Sequence, residues 1–413
     1  MTTLPKILFI AYNFPPHGGA GVQRSLKFVK YLPEFGWQPL VVTTTADASL
    51  VQDPSLAKDI PPQTPIIRVP GFSISRLQTK ATRYHLRRAA VALNILLQLP
   101  DATRFWAHQA RKTVARLIKE EKPQLIYTTS GPYSSHLLGL WARKQFQIPW
   151  FADFRDPWSK NLLLPYPPGY RTLNRIMERQ VLATADRIAC VSEPWLMDLQ
   201  ANLGCCTEKF MVLTNGYDDT DIHPYPPTTT THFTLTHMGS FYRNRRPHKV
   251  VAAIKQLTAS NRIPASKLRV LFIGKNARQH IPSAPPFITH DYMPHKQLDQ
   301  FRQQSNAFLL ILATSPENIG NHSGKLFEYI ASNRPILGIV PPGGAAQQLI
   351  AETNTGIAIS DEIDMITQAI EKLYDQWQSK CVSWDPDWDK IQQYTRRNLT
   401  AQLATAFNEM VTS

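Results

Sequence analysis

Short runs of apolar and β-branched residues alternate along the chain with longer stretches whose apolar residues fall at helical spacing, the pattern of βα units around a parallel sheet. These runs predict strands at 7–11, 40–43, 66–69, 125–127, 150–153, 188–192 and 211–213. The pattern then restarts, with strands at 233–238, 270–273, 308–312, 336–339 and 357–359 and helices at 249–258, 325–332 and 363–378. Between the two series, residues 216–231 hold Pro224, Pro226, Pro227 and a run of threonines, too polar and proline-broken for a core element, and read as a linker. The expectation is an α/β chain of two doubly wound, Rossmann-like domains, 1–215 and 232–385, facing across a cleft, with a ligand at the carboxyl ends of the strands. A tail over 386–413 carries Ile391, Tyr394, Leu399, Leu403, Phe407 and Met410 at helical spacing, a C-terminal helix able to pack back on the N-terminal domain or on the second.

Length and composition narrow this picture without redrawing it. The 413 residues, 43% hydrophobic and 18% charged, suit two or three folded domains and exclude a disordered or repetitive chain. The apolar run near the N-terminus is followed by Pro15, Pro16 and glycines, with no basic region before it, so it reads as a first strand and not as a signal peptide. Residues 89–99, the longest apolar stretch elsewhere, are about half of the roughly 20 residues that a membrane span needs. Cys190, Cys205, Cys206 and Cys381 form neither a disulfide framework nor a CxxC pair, which predicts a reducing cytosol and no structural metal. The net charge of +14 predicts attraction to a polyanion without choosing among nucleic acid, lipid headgroups and phosphorylated substrates.

Three junctions carry candidate chemistry. Residues 15–23, with Gly18, Gly19 and Gly21, lie between the first strand and a helix expected from about Val22, where glycines admit a ligand and helix amides favour an anion. A dinucleotide fingerprint is incomplete there, since Arg24 stands where the third glycine belongs, and an ordinary turn is the other reading. In the second half, Ser323, Gly324 and Lys325 open a helix whose amides and ammonium would hold a phosphate, with Glu328 one turn on to accept ribose hydroxyls; alternatively Lys325 and Glu328 are a solvated i,i+3 pair. Arg243, Arg245, Arg246 and Lys249 follow a strand end and would grip a diphosphate, or form a solvated basic loop.

These motifs, together with 129–136, Phe151 to Trp158, 185–192, 214–218, Gly239-Ser240 and 324–329, resemble glycosyltransferase family 4, of the GT-B fold and of the bacterial polysaccharide and glycolipid type, over nearly the full length. The resemblance implies a retaining enzyme that takes a nucleoside diphosphate sugar as donor and a glycan or lipid-linked acceptor, with no metal and no other cofactor. It places Gly18 and Gly19 beside the donor diphosphate and sugar, Arg243 or Arg245 with Lys249 on the phosphates, Glu328 on the ribose, and the base near Tyr292 and Met293. The family's second Glu, eight residues before the ribose one, is Gly320 here, with Glu317, Asn318 and Asn321 near by. A family histidine after the fourth strand has His136 as its nearest counterpart, which either acts beside the sugar or caps and packs a helix. Arg155 and Asp156, after an apolar strand, either line the cleft, with Asp156 as a catalytic candidate, or pair with each other.

Residues 76–119 hold ten Lys or Arg against Asp101 alone. Such a segment suits an anionic membrane surface, which predicts a cytoplasmic enzyme peripheral on the inner face of the plasma membrane; the plainer reading is the solvated side of a core helix. The rival functions are a nucleotide-sugar epimerase or hydrolase of the same fold, and a catalytically silent subunit of a polysaccharide assembly complex. Nucleic acid is the least favoured partner, since no recognition motif accompanies the charge.

Overall fold

A computed structural model describes residues 4–45, 52–71, 99–161, 169–226, 230–241, 245–293, 295–380 and 384–412. The chain forms two compact units, the first from Met1–Thr214 with Arg396–Ser413 and the second from Asn215–Thr395.

The first unit holds strands β1 (Lys6–Ile10), β2 (Gln38–Thr44), β3 (Ile66–Val69), β4 (Leu125–Thr129), β5 (Trp150–Phe154), β6 (Arg187–Cys190) and β7 (Phe210–Val212). They pair in parallel in the order β3-β2-β1-β4-β5-β6-β7. β4 and β5 are buried at every position, as strands covered on both faces must be. Alternate side chains serve opposite faces. Leu8 and Ile10 pack with Trp106 and Val114 of helix Arg104–Glu121. Ile7 and Phe9 pack with Leu26 and Val29 of helix Ala20–Tyr31, and with Leu399, Leu403 and Phe407 of helix Arg396–Thr412. The Phe407 ring lies 5.3 Å from Phe151 and 5.6 Å from Trp37, whose indole donates to Asn408 Oδ1 at 3.0 Å. The C-terminal helix is therefore part of this unit's core.

The second unit has β8 (Phe233–Met238), β9 (Leu268–Ile273), β10 (Phe287–His290), β11 (Ala307–Ile311), β12 (Ile336–Ile339) and β13 (Gly356–Ile359), all parallel, in the order β10-β9-β8-β11-β12-β13. Helices His248–Ala259 and Ile363–Gln378 cover one face of this sheet. Helix Gly324–Ala331 covers the other.

Three expectations are corrected. Strand β10 was absent from the sequence reading. The stretch read as a linker belongs to the second unit: Tyr217, Ile222 and Tyr225 are buried, and the Arg334 guanidinium donates to the carbonyls of Tyr225 (2.9 Å) and Pro226 (2.6 Å). The tail expected to begin at 386 is divided, with helix Trp388–Gln392 and its buried Ile391 in the second unit and the first unit resuming at Arg396.

Residues 72–98, which hold half of the cations of the basic segment, lie outside the described residues, as do Arg243 and Cys381. In the described remainder, helix Arg104–Glu121 turns Trp106, Ala110, Val114 and Leu117 inward and Arg104, Lys112, Arg116 and Lys119 to solvent. Among the described residues no helix is long and apolar enough to cross a membrane.

Candidate functional site

In a doubly wound sheet, ligands collect where the strand order reverses, here at the carboxyl ends of β1 and β4 and, in the second unit, of β8 and β11. In the first unit the loop after β1 ends at Gly19, exposed and at φ 105°, a conformation that favours glycine. Helix Ala20–Tyr31 starts there with no side-chain cap and no acid in its first turn. The Arg155 guanidinium, which follows β5, is seated between two glycines: a Cβ on Gly21 would fall 1.9 Å from its Nη1 and one on Gly131 2.3 Å from its Nη2. Arg155 donates to Asp156 Oδ2 from Nη2 (2.7 Å) and Nε (2.9 Å), so the two residues do pair, and the Asp156 side chain remains 40% exposed.

Beneath them lies a charge network the sequence reading missed. Arg24 and Asp153, both wholly buried, form two hydrogen bonds of 2.8 and 2.9 Å. Tyr127 donates to Asp153 Oδ2 at 2.6 Å, and Arg24 also donates to the carbonyls of Leu213 and Thr214. Burial by itself would raise the Asp153 pKa, but Arg24 and the Tyr127 hydrogen bond outweigh it and hold the carboxyl below its ordinary value. The signal was present, since a carboxylate inside the apolar strand Trp150–Phe154 requires a partner.

His136, the nearest counterpart of the family histidine, sits in the first turn of helix Ser134–Phe146. It is fully buried, stacks on Phe154 at 4.4 Å, and its Nδ1 shares a hydrogen bond of 2.8 Å with Thr128 Oγ1. Burial lowers its pKa to about 3, so the imidazole is neutral.

In the second unit the equivalent end carries cations closer to solvent. Ser323 precedes helix Gly324–Ala331 with no side-chain cap, no acid sits in the first turn, and a Cβ on Gly324 would meet no atom within 4 Å. The helix start therefore presents amides to open space. Lys325, half-buried, makes no ion pair among the described residues. Loss of water lowers its pKa; Glu328 opposes that shift, and the nearby Arg245 and Arg302 reinforce it. Glu328 accepts from Arg302 Nη2 at 2.8 Å; the arginine is buried, while the carboxylate side chain is 24% exposed. Glu328 is thus an anchored carboxylate, and Arg302 is the partner that sequence spacing did not reveal.

The remaining sites scatter. Lys249, expected on the donor phosphates, pairs with Asp361 (3.4 Å). Tyr292 is exposed past the end of β10, with the Lys275 ammonium 5.9 Å from its ring centroid. Gly320 is buried in the loop before helix Gly324–Ala331 and Glu317 is exposed. His237, near the end of β8, is buried with Nδ1 donating to Leu309 O at 2.9 Å, and burial lowers its pKa to about 3. Among the described residues no three His, Cys, Asp or Glu side chains gather as a metal site requires.

Among the many solved structures that the chain matches, three examples cover almost its whole length. Sucrose-phosphate synthase from Thermosynechococcus elongatus shares 13% identity, with 99% of each chain covered and a TM-score of 0.65. A glycosyltransferase from Rickettsia africae ESF-5 shares 13%, covering 100% of this chain and 99% of its own, with a TM-score of 0.65. The lipopolysaccharide outer core galactosyltransferase WaaB shares 14%, covering 98% and 99%, with a TM-score of 0.58. No curated protein matches by sequence. Two doubly wound parallel sheets with these likenesses are the GT-B fold. Residues 18–216, just under half of the chain, match the family described as Glycosyl transferase 4-like domain.

Proposed function

We propose that the protein transfers a sugar, with retention of configuration, from a nucleoside diphosphate sugar to a hydroxyl of a glycan or lipid-linked acceptor. The observation that carries this reading is Lys325, an ammonium without an ion-pair partner among the described residues, at an uncapped helix start beside Arg245. Those groups suit the charge that develops on a departing diphosphate, and preorganised donors of this kind are the largest source of rate enhancement in such a reaction. Glu328, held by Arg302, is placed to accept from vicinal ribose hydroxyls, and exposed Tyr292 offers a ring for the base. The reading invokes no metal and no further cofactor, since the cations of the chain carry the role. In the first unit Asp156, partly exposed and paired with the Arg155 that lies against Gly21, is the candidate for contact with the reacting sugar. Peripheral attachment to an anionic membrane through 76–119 belongs to the same proposal; over 104–119 the contact would be made by charge, because the apolar side of that helix is in the core.

Calorimetry with uridine, guanosine and adenosine diphosphates tests the donor site. One nucleotide should bind, and Lys325→Ala and Glu328→Ala should each weaken it by about tenfold or more, the value of one charge-assisted hydrogen bond, with the melting temperature unchanged. Undiminished affinity in both variants would reject the assignment. Incubating the donor with and without acceptor separates transfer from epimerisation or hydrolysis, and turnover of no donor would favour the silent subunit, a reading motivated by Gly320.

A further inference from the structure

Helix Tyr170–Thr184 of the first unit anchors in the core through Val181 and Leu182 near its end, but ahead of them it buries polar residues and exposes apolar ones. Asn174 and Glu178 are buried, where Asn174 Oδ1 accepts from the Trp158 indole at 2.7 Å and Glu178 accepts from Ser159 and, at 2.7 Å, from Asn202 Nδ2. The side turned to solvent carries Leu173 and Ile176, 46% and 51% exposed, and Met197 on helix Glu193–Leu203, which packs against it, is 57% exposed.

Arg171, Arg175 and Arg179, all exposed, run beside Leu173 and Ile176 at intervals of four residues. Like charges at this spacing destabilise a helix, so stability does not explain the stripe. Arg171 and Arg179 make no ion pair among the described residues, and Arg175 donates from Nε to Asn202 Oδ1 at 3.0 Å. The helix has no outward acid, its one carboxylate, Glu178, being buried, and Asp198 on the neighbouring helix is held by Lys160.

We propose that this face docks on an anionic lipid bilayer, with the arginines at the headgroup phosphates and Leu173, Ile176 and Met197 entering the boundary between headgroups and acyl chains. Cations interleaved with exposed aliphatic side chains on one helix are what that boundary accommodates, and a chain of charge +14 is drawn to it. This surface is separate from residues 76–119 and stands whether or not the donor reading holds, because its test reads vesicle binding and not sugar transfer. Lasting attachment generally takes two such elements, which gives the second surface a purpose.

The test is flotation of the full chain with vesicles of phosphatidylcholine and phosphatidylglycerol, against phosphatidylcholine alone. Wild type should float with the anionic vesicles, and Arg171→Gln/Arg179→Gln should lose about 30-fold in affinity, at the usual worth of two surface cations. Leu173→Ser/Ile176→Ser should lose a comparable amount; Met197→Ser alone, read in the same way, serves if that double variant does not fold. Unchanged flotation of the variants, or equal recovery of wild type with both vesicle types, would overturn the proposal. So would a dimer in solution that Leu173→Ser/Ile176→Ser dissociates, which would assign the face to a second copy of the chain.

Discussion

At the ends of β1 and β4, the first unit keeps its charges among themselves: Arg24 is matched by Asp153 in full burial and Arg155 by Asp156 between two glycines. At the ends of β8 and β11, the second unit leaves Lys325 without an ion pair among the described residues and holds Glu328 partly open to solvent. The strand order around both places is the same, apart from the extra β7. What the pair teaches is that topology supplies the location and side chains set its character, internally matched charge in one unit and an ammonium outside any ion pair among the described residues in the other.

Arg24→Ala should break this contrast most visibly, because it strands the Asp153 carboxylate in the core. A loss of about 3–5 kcal/mol in denaturant unfolding is expected. Nucleotide affinity measured where the variant is folded should stay as it was, the inverse of Lys325→Ala; a loss under about 1 kcal/mol would mean that the network is not structural.

The next effect is shared by the units. His136 in the first and His237 in the second have pKa values near 3 against an ordinary 6.5, so between those limits the unfolded chain binds more protons than the native one. Stability is then complete above pH 6.5 and lost as the pH falls toward 3, at about 1.4 kcal/mol per pH unit for each histidine. Urea midpoints measured from pH 7 to 4 should decline steadily, less steeply in His136→Phe; midpoints flat over that range would contradict the burial of both rings.

The smallest change sharpens the first unit alone. Gly131→Ala places a Cβ 2.3 Å from Arg155 Nη2 at φ 74°, and a cost of about 1–3 kcal/mol is expected by thermal unfolding. Arg155→Ala in the same chain should relieve the steric part of it, leaving only the backbone strain.

How legible these features were depended on how many residues had to agree. Strands β8 and β12 and helix Ile363–Gln378 have the predicted bounds because each is a long or uniformly apolar run between clear breaks. Strand β10 escaped because Phe287–His290 is a four-residue edge strand behind Pro285-Pro286 with one buried position, Phe287. Residues 216–231 misled for the opposite reason: Tyr217, Ile222 and Tyr225 are core residues spaced too irregularly, among prolines, to form a pattern. At the sites, Gly324, Lys325 and Glu328 were readable because a helix start places them by local rules. Arg302 was not, since its contact with Glu328 spans 26 positions and depends on how two helices pack. His136 was readable as a helix-start residue, while its burial against Phe154 came only with the tertiary structure.

The chain leaves the first unit at Thr214 and returns to it at Arg396, so the second unit is an insertion within the first. During synthesis the sheet of the first unit emerges early yet lacks Leu399, Leu403 and Phe407 until every residue of the second has been translated. The second unit can fold to completion while its host still waits with an uncovered flank, and synthesis that stops near residue 395 would leave a finished second unit attached to an unfinished first.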